Sequence, residues 1–237
     1  PWYTAPALAM HVLGRYADEL ALAREARARQ PDYYYHAVAE ARALIGLGRL
    51  ADVEKLLTGS SALPLLRAPG RLMHDIALEL NAHGLRDDAR RMWSRALAWH
   101  TAQPAGVAEE RAIRENAAFE HYYLGQYDEA RQAFAGLLAR FPGNRFYRAG
   151  AAYVAARTGD TASALQAVGG LRVDTSVNDN YAARILALLG RKDEAVAALR
   201  QYLNRGGRFY LGGWHNVPEF DGLRDYPPFV ALVALKG

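Results

Sequence analysis

The chain has no cysteine. That excludes disulfides, thiolate metal sites and cysteine nucleophiles, and it leaves the redox compartment open. Long apolar runs are missing too. The longest clear one, 229–235, has seven residues, against the roughly 18–20 that a membrane helix needs. No signal peptide is visible. Serines are few, at Ser60, Ser61, Ser94, Ser163 and Ser176. None lies in a Gly-x-Ser-x-Gly turn, so a hydrolase has no visible nucleophile. Blocks of like charge are also lacking: 29 basic and 25 acidic residues give a net charge of +4, and the arginines are scattered at helix-surface spacing. Despite a pI near 9.3, this reads as solvated helix faces, and neither nucleic-acid binding nor membrane insertion is expected.

What is abundant is alanine, with arginine and glutamate around it and few β-branched residues, a composition that favours helix. The clearest stretch is 116–144, NAAFEHYYLGQYDEARQAFAGLLARFPGN. Ala117, Ala118, His121 and Tyr122 recur at helical spacing, as do Ala130, Phe134, Leu137 and Leu138 after a turn. Gly125 ends the first helix, Asp128 and Glu129 suit the N-terminus of the second, and Phe141-Pro142-Gly143 stops it. Versions of this unit recur. The turn glycines Gly14, Gly48, Gly84, Gly125, Gly159 and Gly190 are separated by 34, 36, 41, 34 and 31 residues, and a period near 34 with two helices per period marks a helical repeat array. The longer intervals have local causes. Residues 101–106 add a loop, with the next helix expected from near Val107; Gly169-Gly170 is expected to cut a helix short; Asp174-Thr175-Ser176 reads as a cap before Tyr181. The polar stretch Thr58-Gly59-Ser60-Ser61 shortens the second unit.

These residues resemble the tetratricopeptide repeat (TPR) pattern. The first unit carries Gly14-Arg15-Tyr16, Ala26 and Pro31, but Glu19 stands where an alanine is expected. The second has Gly48-Arg49-Leu50 and Val53, the third Gly84, Ala89, Trp93 and Ala96. The fourth matches best, with Gly125, Tyr127, Ala130, Phe134 and Pro142, and Ala164 and Ala195 hold the alanine position of the last two. The resemblance implies an all-α, right-handed α-solenoid of about six TPR-like helix pairs over 1–205. A glycine-rich joint and C-terminal cap over 206–237 would pack on the last repeat, with Trp214, Phe220, Leu223 and Phe229 covering its apolar face and 229–235 as a short helix. The ending resembles that of TPR regions in bacterial multidomain regulators, which follow winged-helix, protein kinase or adenylate cyclase domains. Since the chain begins at Pro1 rather than methionine, it is expected to be a piece of something longer.

In known solenoids the first helix of each unit lines the concave surface. By that resemblance the groove-facing set is Tyr35, Arg42, His74, Asn81, Glu115, Asn116, Phe119, Tyr122, Tyr153, Arg157, Asn180 and Arg184. Aromatic area with amide and guanidinium groups suits an extended peptide. The basic clamp that some TPR modules use for a C-terminal carboxylate is missing, because Phe146 and Gly150 stand where cations would be wanted. The expected function is therefore a non-catalytic interaction or regulatory module for a protein or peptide partner, or for an upstream domain of the same chain. Two alternatives stay open: a small-molecule binder or enzyme using Glu115, His74, His121 and Arg157, and an envelope-assembly scaffold. The compartment is left between cytoplasm, the better fit, and periplasm. The histidines, including His36, His83, His100 and His215, read as packing or surface residues, with no His-Glu-x-x-His. No metal and no cofactor is expected.

Overall fold

The computed structural model describes residues 4–59, 69–108, 110–173, 180–205 and 214–234. Among them there are helices and turns and no strand, in a tandem helical-repeat fold of the solenoid class. None of the helices is long and apolar enough to cross a membrane. All six turn glycines have positive φ, between 70° and 82°, a region closed to most side chains. The turns are built alike. After the first helix, the Gly14 N–H donates to the His11 carbonyl and the Arg15 N–H to Met10; Gly48 with Arg49, Gly84 with Leu85 and Gly190 with Arg191 repeat the pair of bonds. This αL closure satisfies the last carbonyls of one helix and aims the chain into the next. Five residues beyond each glycine lie Glu19, Val53, Ala89, Ala130, Ala164 and Ala195, all buried. At the four alanines small size lets the paired helices approach, while Glu19 and Val53 put larger side chains in the same place.

The contacts divide the chain into two units. The first comprises residues 1–124 with 211–216. It holds α1 (Thr4–Val12), α2 (Tyr16–Arg29), α3 (Tyr34–Gly46), α4 (Leu50–Gly59), α5 (Gly70–Ala82), α6 (Arg86–Thr101), the short α7 (Ala105–Ala108) and α8 (Arg111–Leu124). The first helices of successive pairs are neighbours, α1 with α3, α3 with α5 and α5 with α8, while α2, α4 and α6 pack on their partners. Leu44, Leu72, Ile76 and Trp93 are among the buried residues of its core. The helix entering the fourth repeat starts at Arg111 rather than near Val107, which lies in the separate turn α7.

The second unit comprises 125–210 and 217–237. It holds α9 (Tyr127–Arg140), α10 (Arg145–Arg157), α11 (Thr161–Val173), α12 (Tyr181–Leu188), α13 (Lys192–Asn204), a 3-10 helix (Pro218–Leu223) and α14 (Pro227–Val233). The 3-10 helix packs on α12 and α14 on α13, with Phe220, Leu223 and Phe229 buried. Trp214, expected among them, groups with the first unit. Gly169 and Gly170 do not end α11, which runs through to Val173. Each glycine costs a helix only about 1 kcal/mol, and the buried Val168 and Leu171 on either side hold this one. The Asp174-Thr175-Ser176 cap, the Ser60-Ser61 loop and the 206–213 joint lie outside the described residues.

Candidate functional site

In the first unit a cleft of about 250 Å³ opens between α3, α5 and α8, lined by Tyr34, Tyr35, Arg71, Asp75, Ala112, Glu115 and Asn116. The three consecutive tyrosines divide their work because neighbours on a helix point about 100° apart. The Tyr34 ring is buried and its hydroxyl donates to Asp75 Oδ2 at 2.5 Å. Burial pushes that hydroxyl's pKa well up, and Asp75 adds to the shift, so it stays a donor. Tyr35 is 46% exposed at the cleft's edge. Arg71 lies 3.3 Å from Asp75 Oδ1 and donates to Asn116 Oδ1 at 3.0 Å. Glu115 accepts from Arg111 Nε at 2.7 Å.

Beneath the cleft the polar chain continues inward. Asn116 Nδ2 is 3.5 Å from His100 Nε2, and His100 Nδ1 donates to Glu120 Oε2 at 2.8 Å. The other Glu120 oxygen is 3.4 Å from His74 Nδ1. Burial alone would raise the pKa of Glu120, but the bonds from His100 and His74 outweigh it and the net shift is downward. Gly70 makes room for this arrangement: a Cβ there would fall 2.4 Å from the Trp99 ring and 2.8 Å from His100.

Of the twelve residues expected in a groove, the structure therefore gathers Tyr35, Glu115 and Asn116 in one cleft, with His74 in the network below it. Phe119 and Tyr122 are buried in α8, and Asn81 is half-buried near the end of α5. Arg42 is half-buried and grips Glu19, its Nε donating to Oε1 at 2.7 Å. In the second unit, Tyr153 is fully buried under the Arg184 guanidinium, 4.9 Å from the ring centre. Arg184 itself pairs with Glu219 at 2.6 Å, Arg157 is exposed at the end of α10, and Asn180 is the residue before α12. Of the alternative catalytic set, Glu115 lines the cleft, His74 is held at Glu120, His121 is half-buried on α8, and Arg157 belongs to the second unit.

Sequence reasoning missed a second cluster in the first unit. His11 on α1, Glu79 on α5, His83 just beyond α5 and His215 converge, their donor atoms within 4.8 Å of one another. Glu79 Oε1 is 2.9 Å from His11 Nε2, 3.1 Å from His83 Nε2 and 3.0 Å from His215 Nε2. His11 Nδ1 donates to Glu19 Oε2 at 2.7 Å, and Arg42 holds Glu19 from behind. Burial pulls the His11 pKa down, but its bonds to Glu19 and Glu79 more than compensate and the pKa is raised. For Glu79 burial acts upward, and the bonds from His11, His215 and His83 bring the carboxyl well below its ordinary range. A signal was present. Glu79 and Glu120 stand five residues before Gly84 and Gly125, where the other repeats carry Ala9, Ala43, Val154 and Ile185.

A family model described as Tetratricopeptide repeat matches residues 118–144, the stretch in which the periodicity is clearest. It supports the tetratricopeptide reading of the repeats. No curated protein matches the chain. Tetratricopeptide repeats generally mediate protein–protein interaction and are typically non-catalytic modules.

Proposed function

We propose that this chain is a non-catalytic interaction module that receives an extended protein segment in the cleft between α3, α5 and α8. One observation carries the reading: residues from the first helices of three consecutive repeats line a single cavity that has a large exposed aromatic at its rim. Tyr35 supplies contact area with little rotamer entropy to lose. The Tyr34–Asp75–Arg71–Asn116 chain is held in place by its own bonds, so binding need not order it. Glu115 and Arg71 bring opposite charges to the same cleft, which suits a peptide backbone and mixed side chains better than a strongly charged ligand. The same cleft serves equally if the segment belongs to a domain preceding residue 1 in a longer bacterial regulator.

The test uses the 237-residue chain as bait in lysate of its source cell, followed by calorimetry with the captured protein's mapped segment. Tyr35→Ala with Glu115→Arg is the paired variant, since Tyr35 is exposed and Glu115 half-buried at the cleft, and circular dichroism must confirm an unchanged fold. A segment bound by the parent and at least tenfold more weakly by the variant supports the reading. Equal affinity for both moves binding away from this cleft and sinks it. Capture of no protein by the parent chain also counts against the reading.

A further inference from the structure

We propose that His11, Glu79, His83 and His215 form a tetrahedral Zn²⁺ site that fastens residues 214–216 to α1 and α5 within the first unit. Zinc–nitrogen and zinc–oxygen bonds of about 2.0–2.1 Å place tetrahedral ligands about 3.3 Å apart. The separations from Glu79 Oε1 to the three imidazole nitrogens are 2.9, 3.0 and 3.1 Å, and His11 Nε2 is 3.4 Å from His215 Nε2. Glu79 thus stands at nearly coordination-sphere spacing from imidazoles drawn from three parts of the chain, and all four donors lie within 4.8 Å of one another.

Proton placement strengthens the case. His11 Nδ1 must carry a hydrogen, because it faces the carboxylate of Glu19, which can only accept. In the neutral imidazole this leaves the Nε2 lone pair aimed at Glu79 and His215. As hydrogen bonds alone, the cluster requires three N–H groups on one carboxylate oxygen, two of them on nitrogens 3.4 Å apart. A divalent ion at the centre accepts all three lone pairs and the carboxylate together. The carboxylate behind His11 is also what a metal-bound imidazole calls for, since a second bond from the distal N–H fixes the tautomer and raises ligand basicity. Arg42 completes that support by holding Glu19.

The donor set selects the ion. Three imidazoles and one carboxylate without sulfur suit zinc and its first-row neighbours, whereas magnesium and calcium take oxygen shells. Four protein ligands leave no open position, so the site is structural rather than catalytic. Access is one-sided: the His11 and Glu79 side chains are 1% and 3% exposed, those of His83 and His215 18% and 30%. A chelator can reach the ion from the His215 side.

The experiment titrates chelator-treated, tag-free full chain with Zn²⁺ by calorimetry and with Co²⁺ by visible absorption. One ion per chain, with the intense d–d bands of tetrahedral Co²⁺, is expected. His83→Ala and His215→Ala should each weaken Zn²⁺ binding at least about 100-fold, and Glu19→Gln about 10–100-fold. His121→Ala, outside the cluster, should bind like the parent. Imidazole ¹⁵N spectra of the unaltered chain give a readout free of folding defects: three Nε2 resonances should move together at one equivalent of Zn²⁺. Failure of the parent chain to bind one equivalent saturably overturns the site. So does undiminished binding by the folded His83→Ala/His215→Ala double variant.

Discussion

The Arg184–Glu219 pair offers the sharpest test of how the second unit is held. Glu219 Oε2 accepts from Arg184 Nε at 3.0 Å and from Nη2 at 2.6 Å. The carboxylate side chain is 0% exposed and the guanidinium 15%. The guanidinium also lies over Tyr153, a contact of about 0.5–1 kcal/mol at least. Arg184→Met keeps the aliphatic volume but strands a buried carboxylate, which costs about 3–5 kcal/mol. Glu219→Leu added to it removes the stranded charge, so the double variant should regain most of that loss. The coupling across the cycle should then be at least about 2 kcal/mol. Urea unfolding by circular dichroism gives the global values, and hydrogen exchange over Pro218–Leu223 reports the local loosening. A loss under about 1 kcal/mol for Arg184→Met, or additive effects in the double variant, would refute the view that this pair anchors the 3-10 helix to α12.

Gly150→Ala should destabilise by roughly 1–2 kcal/mol in urea unfolding. A Cβ there falls 2.3 Å from the buried Phe134 ring, so the overpacking cost lies at about 2–3 kcal/mol, in the upper part of its usual range, and exceeds the helix-propensity gain of about 1 kcal/mol. Asn144→Ala should cost about 1 kcal/mol, because its side chain caps α10 by accepting from the Tyr147 N–H at 3.2 Å. The Glu120 carboxyl has a folded-state pKa below its ordinary 4.5. Its stabilisation is therefore present above about pH 4.5 and lost as pH falls through the folded value. Glu120→Gln should give a flatter stability curve on that acid limb, and an unchanged slope would contradict the assignment.

The repeat frame was legible because it is written locally. A glycine that must take positive φ, an alanine five residues on in four of the six units and a helical apolar stripe all lie within one period of about 34 residues. The polar sites were not legible for the opposite reason. His11 and His215 are 204 positions apart, and no spacing rule links them. The useful clue was a mismatch rather than a match. Glu19, which breaks the small-residue position of the first repeat, turns out to hold His11. Glu79 and Glu120 sit where other repeats bury alanine, valine or isoleucine, and each gathers histidines around it. A charge in a slot that the fold keeps dry needs partners, and the repeat frame itself could have pointed to them. Tyr153 and Arg184 illustrate the converse. The resemblance to known solenoids put them on a groove, and in the structure the Arg184 guanidinium lies over the Tyr153 ring and pairs with Glu219 within the second unit.

The first unit is made from two stretches, with residues 125–210 lying between them in the chain. A ribosome therefore releases eight helices of that unit long before it releases the three residues 214–216. Until then the third histidine of the Glu79 cluster, His215, has not been made. The first unit is thus completed only after the intervening residues have been made, and a nascent chain arrested anywhere before Trp214 carries an incomplete first unit.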